Sequence, residues 1–263
     1  MDYSLLLSDE EYQRYFEEKH QEPPTFELHR NGQALFYFGA NHSRDPKNAQ
    51  WEILDTYWNR FLKEAEANRI VFLEGSPFSF TADKSEEEII RRYGERGFII
   101  VCAIKENIPI HWADLLVQDE IKKLYECFDK DLVNYFFFAR SARSLLRRVG
   151  NTELFDVVVA KVVAFITKCI EVPPDPSYYA AIHQKIFGKS LTNTERGTLE
   201  RAAVPIYHDS IINDIARASG RMRDEYILSE IEHYWLKGFS IFALFGSGHV
   251  IAQVKSIKEL AGY

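Results

Sequence analysis

The sequence predicts an α/β fold with a mixed, mostly parallel central sheet, an N-terminal hairpin and a large all-helical insertion. Apolar or alternating runs of strand length recur along the chain, and several are rich in aromatic residues and bounded by glycine. Segments with helical spacing separate the later runs, which is typical of parallel sheets. A long block in the middle of the chain shows helical periodicity without any run of strand character. The predicted strands are 26–30, 33–38, 70–73, 108–112 and 239–245.

The first elements follow from helix caps and one turn. Ser8 precedes three acidic residues, an N-cap pattern that predicts a helix from there to about residue 20. Asn31-Gly32 lies between two strand-like runs and is a strong hairpin signal. Residues 46–68 carry apolar side chains at helical spacing. Ser85 precedes a second acidic first turn, and a further short helix is expected over 95–106.

The change from alternating strands and helices to continuous helical periodicity divides the chain into a core and an insertion. Residues 1–116 and 238–263 are predicted to form the α/β core that carries the site, and residues 117–237 a helical insertion or subdomain. A length of 263 residues suits this arrangement. The aromatic run 135–138 is expected in the core of the insertion, because aromatic side chains dominate buried area.

Composition indicates an ordinary globular protein with an acidic balance. The net charge of −7 disfavours a general nucleic-acid partner. The N-terminus lacks the basic and long apolar segments of a signal peptide, and no run approaches the length of a membrane span. Three widely separated cysteines are typical of free thiols in a reducing compartment. We therefore expect a cytoplasmic protein without a membrane partner, and an oligomer is compatible with the sequence.

Two short glycine–histidine motifs mark the candidate site. Gly39-Ala40-Asn41-His42 and Gly246-Ser247-Gly248-His249 each follow an apolar strand, and Glu74 follows the strand 70–73. In open α/β sheets, ligands bind at the carboxyl ends of the strands. We therefore expect His42, Glu74 and His249 to meet at that edge and to form the catalytic centre, with Asn41 and Ser247 as neighbouring substrate contacts.

An arginine in the helical block is the fourth predicted catalytic residue. Arg223 interrupts an apolar stripe that includes Ile227 and Ile231. A buried arginine needs a hydrogen-bonded partner, since an unpaired buried charge is strongly destabilising. Arg223 is expected either to hold a structural carboxylate, such as Asp114 or Glu74, or to face an anionic substrate or transition state. Asp114 and its neighbour on the helix, Asp224, are predicted substrate-binding residues.

The order of these motifs resembles the TraB/Tiki-like superfamily, which includes ChaN-like and erythromycin-esterase-like proteins. The matching segments are GANH at 39–42, FLEG at 72–75, ADL at 113–115, RMRDEYI at 221–227 and GSGH at 246–249. The resemblance implies an α/β core with a helical insertion and a site at the strand ends. It also implies metal-dependent proteolysis for Tiki-like members, histidine-activated ester opening for esterase-like members and haem binding for ChaN-like members. This chain has Arg-Asp where Tiki proteases have Arg-Asn.

The expected function is a hydrolase that uses an activated water to cleave an ester, amide or peptide-like bond of a small molecule or peptide. In a metal-bound version, His42, Glu74 and His249 are ligands of a zinc, manganese, iron or cobalt ion. In a metal-free version, one histidine is the general base and Glu74 orients or activates it. Arg223 stabilises developing negative charge in both versions.

Two alternatives remain open at this stage. One is a non-catalytic binding module for an anion, a nucleotide or haem, because the amides at the start of the last helix form a fair anion site. The other is an interaction protein whose aromatic run 135–138 is its contact surface.

Overall fold

The computed structural model describes residues 1–18, 22–66, 68–80, 84–149, 154–171 and 175–260. The chain forms two compact units, Met1–Leu115 with Arg223–Tyr263, and Leu116–Met222. The second unit ends inside a helix, at Met222. The sequence analysis had placed the return to the core later, at residue 238. The segment after Met222 belongs to the first unit because Ile227, Leu228 and Ile231 pack into its core.

Five strands form the sheet of the first unit. They are β1 (Thr25–Arg30), β2 (Gln33–Ala40), β3 (Arg69–Leu73), β4 (Ile110–Trp112) and β5 (Ser240–Gly246). Their order is β1-β2-β5-β3-β4. Strands β1 and β2 pair antiparallel, and all other pairs are parallel. The α/β fold, the mostly parallel sheet and the N-terminal hairpin are therefore confirmed.

Both faces of the sheet are covered, as parallel strands require. Alternate strand residues pack to opposite sides: Phe36 and Phe242 face one helical layer, and Tyr37 and Phe245 face the other. The first layer contains α2 (Gln50–Glu64) and α3 (Glu86–Lys105). The second contains the end of α9 (Ile211–Leu236) and α10 (Ser247–Leu260).

Local sequence signals explain how these helices begin and bend. Ser8 caps α1 (Asp9–Glu17), and Ser85 caps α3; both form the reciprocal capping box with the glutamate three residues later. Residues 19–21, where α1 was predicted to end, lie outside the described residues. Gly94 has a φ of 64° inside α3 and separates it into two helical segments, which corresponds to the two helices predicted there.

In the described part of the second unit, loops and one short 3-10 helix, Asn193–Glu195, join the α-helices. These α-helices are α4 (Val117–Cys127), α5 (Lys130–Val149), α6 (Phe155–Ile166), α7 (Pro176–Phe187), α8 (Arg196–Ala202) and the first part of α9. Tyr135 and its three aromatic neighbours are at most 3% exposed. The prediction that this run lies in the helical core is confirmed. Among the described residues, no helix is long and apolar enough to cross a bilayer.

Candidate active site

The parallel register brings the predicted site residues to one edge of the sheet. Ala40 pairs with Gly246 at the ends of β2 and β5, and Leu73 pairs with Leu244 and Trp112 at the ends of β3, β5 and β4. The polar residues that follow each strand therefore start from neighbouring positions. All of them belong to the first unit.

The carboxylate of Glu74 lies at the centre of this group. Its Oε1 accepts a hydrogen bond from Arg223 Nη2 at 2.8 Å and lies 3.7 Å from His249 Nε2. Its Oε2 accepts from the backbone N–H of Gly246 at 2.7 Å and lies 4.0 Å from His42 Nε2. Burial alone would raise the pKa of Glu74, but His249 and Arg223 beside it hold that pKa well below its usual range. Glu74 is therefore an ionised, partly buried carboxylate.

Gly246 makes room for two of these side chains. A Cβ at this position would lie 2.8 Å from His42 Nε2 and 3.4 Å from Glu74 Oε2. Any side chain larger than hydrogen would push His42 away from the carboxylate. The glycine that begins the second motif thus allows the close approach of the histidine that ends the first.

His42 is the exposed member of the group and has an unusual backbone. Its φ is 56°, in the left-handed region that non-glycine residues rarely adopt, and its side chain is 66% exposed. Two buried side chains anchor the backbone on either side: Gln50 Oε1 accepts from Asn41 N–H at 3.3 Å, and Glu95 Oε1 accepts from Ser43 N–H at 2.8 Å. Such strain persists where the surroundings fix it, and it is commonest at functional sites.

Arg223 is held between two carboxylates. Its Nε and Nη2 donate to the two oxygens of Asp114 at 3.0 and 2.7 Å, and Nη2 also donates to Glu74. Asp114, 7% exposed, further accepts from the backbone N–H of Gly75 at 3.0 Å. Asp114 thus pairs with Arg223 in the structure. The bidentate contact fixes the orientation of the guanidinium group, whose Nη2 also donates to Glu74.

His249 lies between two acidic residues. Its Nδ1 donates to Asp224 Oδ1 at 2.6 Å, while its Nε2 faces Glu74. Burial lowers the pKa of His249, but the adjacent Asp224 carboxylate and the contacts with Glu74 outweigh this effect and raise that pKa to about 9. His249 is therefore an imidazolium cation at neutral pH.

Two residues that the sequence analysis did not select lie beneath His249. Gln253 Nε2 donates to Asp224 Oδ1 at 2.6 Å, and Tyr37 Oη donates to Gln253 Oε1 at 2.9 Å. Both side chains are fully buried. The sequence could have identified Gln253, because it interrupts an apolar stripe of α10 that includes Val250 and Ile257.

The predicted neighbours Asn41 and Ser247 occupy the rim of this group. Asn41 is exposed and directly precedes His42, and Ser247 is the partly exposed first residue of α10. A Cβ at Gly39 would lie 3.0 Å from Ser247 Cα, so the two motif backbones approach each other closely. Asp224, by contrast, is only 9% exposed, and its Oδ1 already accepts from His249 and Gln253.

The donor atoms of the predicted metal ligands are not compactly arranged. Among the described residues, the one group of three acidic or histidine donors within 4.8 Å of one another is Glu27, His29 and Glu64. It lies outside the predicted site, and both of its carboxylates pair with Arg60. A metal ion needs its ligand atoms about 2.0–2.2 Å away on all sides. His42, Glu74 and His249 do not form such a compact group in this arrangement, and Glu74 is already paired with Arg223.

Comparisons with protein families, curated proteins and solved structures give no match. The resemblance to the TraB/Tiki-like superfamily therefore stays a prediction that depends on motif order.

Proposed function

We propose that the protein is a hydrolase in which His42 and Glu74 activate a water molecule for attack on an ester, amide or peptide-like bond. The observation that carries the proposal is the approach of His42, His249 and Arg223 to the one carboxylate of Glu74. These groups are a base, an acid and a fixed cation, which together serve acyl transfer to water.

In the proposed reaction, the attacking water lies between His42 and Glu74. The 4.0 Å between His42 Nε2 and Glu74 Oε2 suits a molecule that makes a hydrogen bond of about 2.8 Å to each atom. Glu74 orients the water and His42 Nε2 accepts its proton as the oxygen attacks the substrate carbonyl. The exposure of His42 gives the substrate access to this position.

His249 and Arg223 have distinct tasks in the proposed reaction. His249, protonated at neutral pH, donates from Nε2 to the developing oxyanion or to the leaving group. Arg223 holds Glu74 and Asp114, so its charge acts on the orientation and ionisation of Glu74. Apart from His42, the site has one net negative charge. It contains three carboxylates, those of Glu74, Asp114 and Asp224, and two cations, Arg223 and His249. This balance favours water activation and a neutral or cationic carbonyl substrate.

The same charge balance disfavours the rival anion-binding module. The backbone N–H of Gly246, at the start of α10, already donates to Glu74. A phosphate there would therefore meet the ionised carboxylate of Glu74. The metal-bound hydrolase stays a prediction with His42, Glu74 and His249 as ligands, and the proposed steps use no ion because these donors are not compactly arranged.

The test measures hydrolysis of a panel of activated esters and aryl amides by the wild-type protein and by His42→Gln and Glu74→Gln. General-base catalysis contributes about 10²–10⁴-fold, so each variant should lose at least a hundredfold in rate. His111→Gln is the matched control, because His111 pairs with Glu230 outside this group. Folded His42 and Glu74 variants with wild-type rates would show that the proposed centre is misplaced.

Elemental analysis of the same samples separates the two versions of the reaction. Activity in protein without stoichiometric metal supports the metal-free steps. Stoichiometric metal that is lost in both variants supports the metal-bound version.

A further inference from the structure

A chain of buried polar side chains connects β2 to His249. It consists of Tyr37, Gln253, Asp224 and His249, linked by contacts of 2.9, 2.6 and 2.6 Å. Tyr37 and Gln253 are 0% exposed, and Asp224 is 9% exposed. Burying polar groups destabilises the fold unless each is hydrogen-bonded. Here every member of the chain has a hydrogen-bond partner within it.

The chemistry of the groups fixes the direction of each hydrogen bond. A carboxylate only accepts, so Gln253 must turn its NH₂ group to Asp224 and its oxygen to Tyr37. Tyr37 must then donate, and burial together with the nearby Asp224 raises the pKa of its hydroxyl, which keeps it protonated. Asp224 accepts the hydrogen bond from Gln253 at the same Oδ1 that accepts from His249.

We propose that Gln253 and Tyr37 are positioning residues that fix Asp224 and thereby hold the His249 ring with Nδ1–H on Asp224 and Nε2 directed at Glu74. Asp224 is then a support for His249 in addition to any contact with substrate. The functional consequence depends on the proposed hydrolase, but the ring orientation does not.

The arrangement explains why a glutamine occupies the apolar face of α10. Val250 and Ile257 on the same stripe are buried and contact the core. An aliphatic residue would pack there without any polar partner. Gln253 instead supplies one donor and one acceptor at fixed distances, which joins the strand hydroxyl to the carboxylate beneath His249.

The decisive experiment measures the His249 ring by ¹⁵N NMR in the full-length protein. We expect a protonated Nδ1 whose proton exchanges slowly with water in the wild type. Gln253→Leu removes the donor to Asp224 and should accelerate this exchange at least tenfold. Tyr37→Phe should accelerate it less, because Gln253 can still donate.

A double-mutant cycle tests whether Tyr37 acts through Gln253. Tyr37→Phe should have no further effect on the exchange in the Gln253→Leu protein, since the connection is already broken. Ser256→Ala is the matched control: Ser256 is buried on the same helix, and its hydroxyl has no hydrogen-bond partner in the part of the chain that the structure describes. Its removal should leave the His249 signal unchanged.

Unchanged Nδ1 exchange in folded Gln253→Leu overturns the proposal. If that variant does not fold, Tyr37→Phe decides: a faster exchange supports positioning, and an unchanged one overturns it. Hydrolysis is measured on the same samples. An altered His249 signal in a protein without any hydrolytic activity supports the positioning role and contradicts the proposed function.

Discussion

The pairing of His249 with Asp224 should make stability depend on pH in a predictable way. Asp224→Asn replaces the carboxylate that accepts from His249 Nδ1 with a neutral amide of the same shape. We expect this change to flatten the stability profile of the wild-type protein in the mildly alkaline range.

The sign and size follow from the pKa of His249. Burial opposes the rise, but Asp224 outweighs it, and the pKa increases from 6.5 in a free imidazole to about 9. The folded protein therefore keeps a proton that the unfolded chain releases. The resulting stabilisation is fully present below pH 6.5 and is lost as the pH rises through 9. Each pKa unit corresponds to about 1.4 kcal/mol, so the contribution is about 3 kcal/mol.

Urea denaturation at about pH 6 and about pH 9.5 measures this contribution, because the two values bracket the transition. The wild type should lose about 3 kcal/mol between them, and Asp224→Asn much less. Glu230→Gln is the control. Glu230 lies on α9 like Asp224, and its Oε2 lies 2.6 Å from His111 Nε2, the same distance as in the Asp224–His249 pair, but it is outside the site. An Asp224→Asn protein whose stability falls as steeply as that of the wild type would refute the assignment.

Three further predictions test other parts of the site. Arg223→Met removes the cation that Asp114 and Glu74 share and should lower the free energy of unfolding by about 3–5 kcal/mol in chemical denaturation; a loss below about 1 kcal/mol contradicts this argument. Gly246→Ala should displace His42 and abolish hydrolysis in a protein that still folds, as circular dichroism and a rate assay will show; unchanged rates would mean that His42 is not needed beside Glu74. His42→Gly should relieve the left-handed strain and raise stability by about 1 kcal/mol while removing activity. The control for this variant is Asn107→Gly at another non-glycine residue with a positive φ, 54°; it should raise stability in the same way without affecting activity.

The convergence of distant motifs was predictable because it follows from strand direction. Apolar runs marked the strands, and helical segments between them indicated parallel pairing. Parallel strands place their carboxyl ends together, so residues that directly follow each strand become neighbours. The contacts of Glu74 with His42 and His249 show this rule at work, since 32 and 175 residues separate them in the sequence.

The contacts that hold the site together were harder to predict because they depend on loop geometry and tertiary packing. Gln50 and Glu95 anchor the backbone around His42 from two different helices, and neither residue belongs to a recognisable motif. Likewise, the sequence offered Asp114 or Glu74 as a partner of Arg223, but it did not assign Asp224 to His249. Such assignments require side-chain directions that a strand-end rule does not supply.

Polar residues on apolar helix faces indicate contacts across the core. Arg223 was selected because it interrupts such a stripe, and the structure pairs it with Asp114 and Glu74. Gln253 interrupts the stripe of α10 in the same way, and it also has two buried partners. The physical reason is common to both: a buried donor that finds no acceptor destabilises the fold, so a polar residue at such a position implies a partner across the core. Applied to α10, this argument predicts a polar partner for Gln253 near the motif that begins the helix, which is where Asp224 lies.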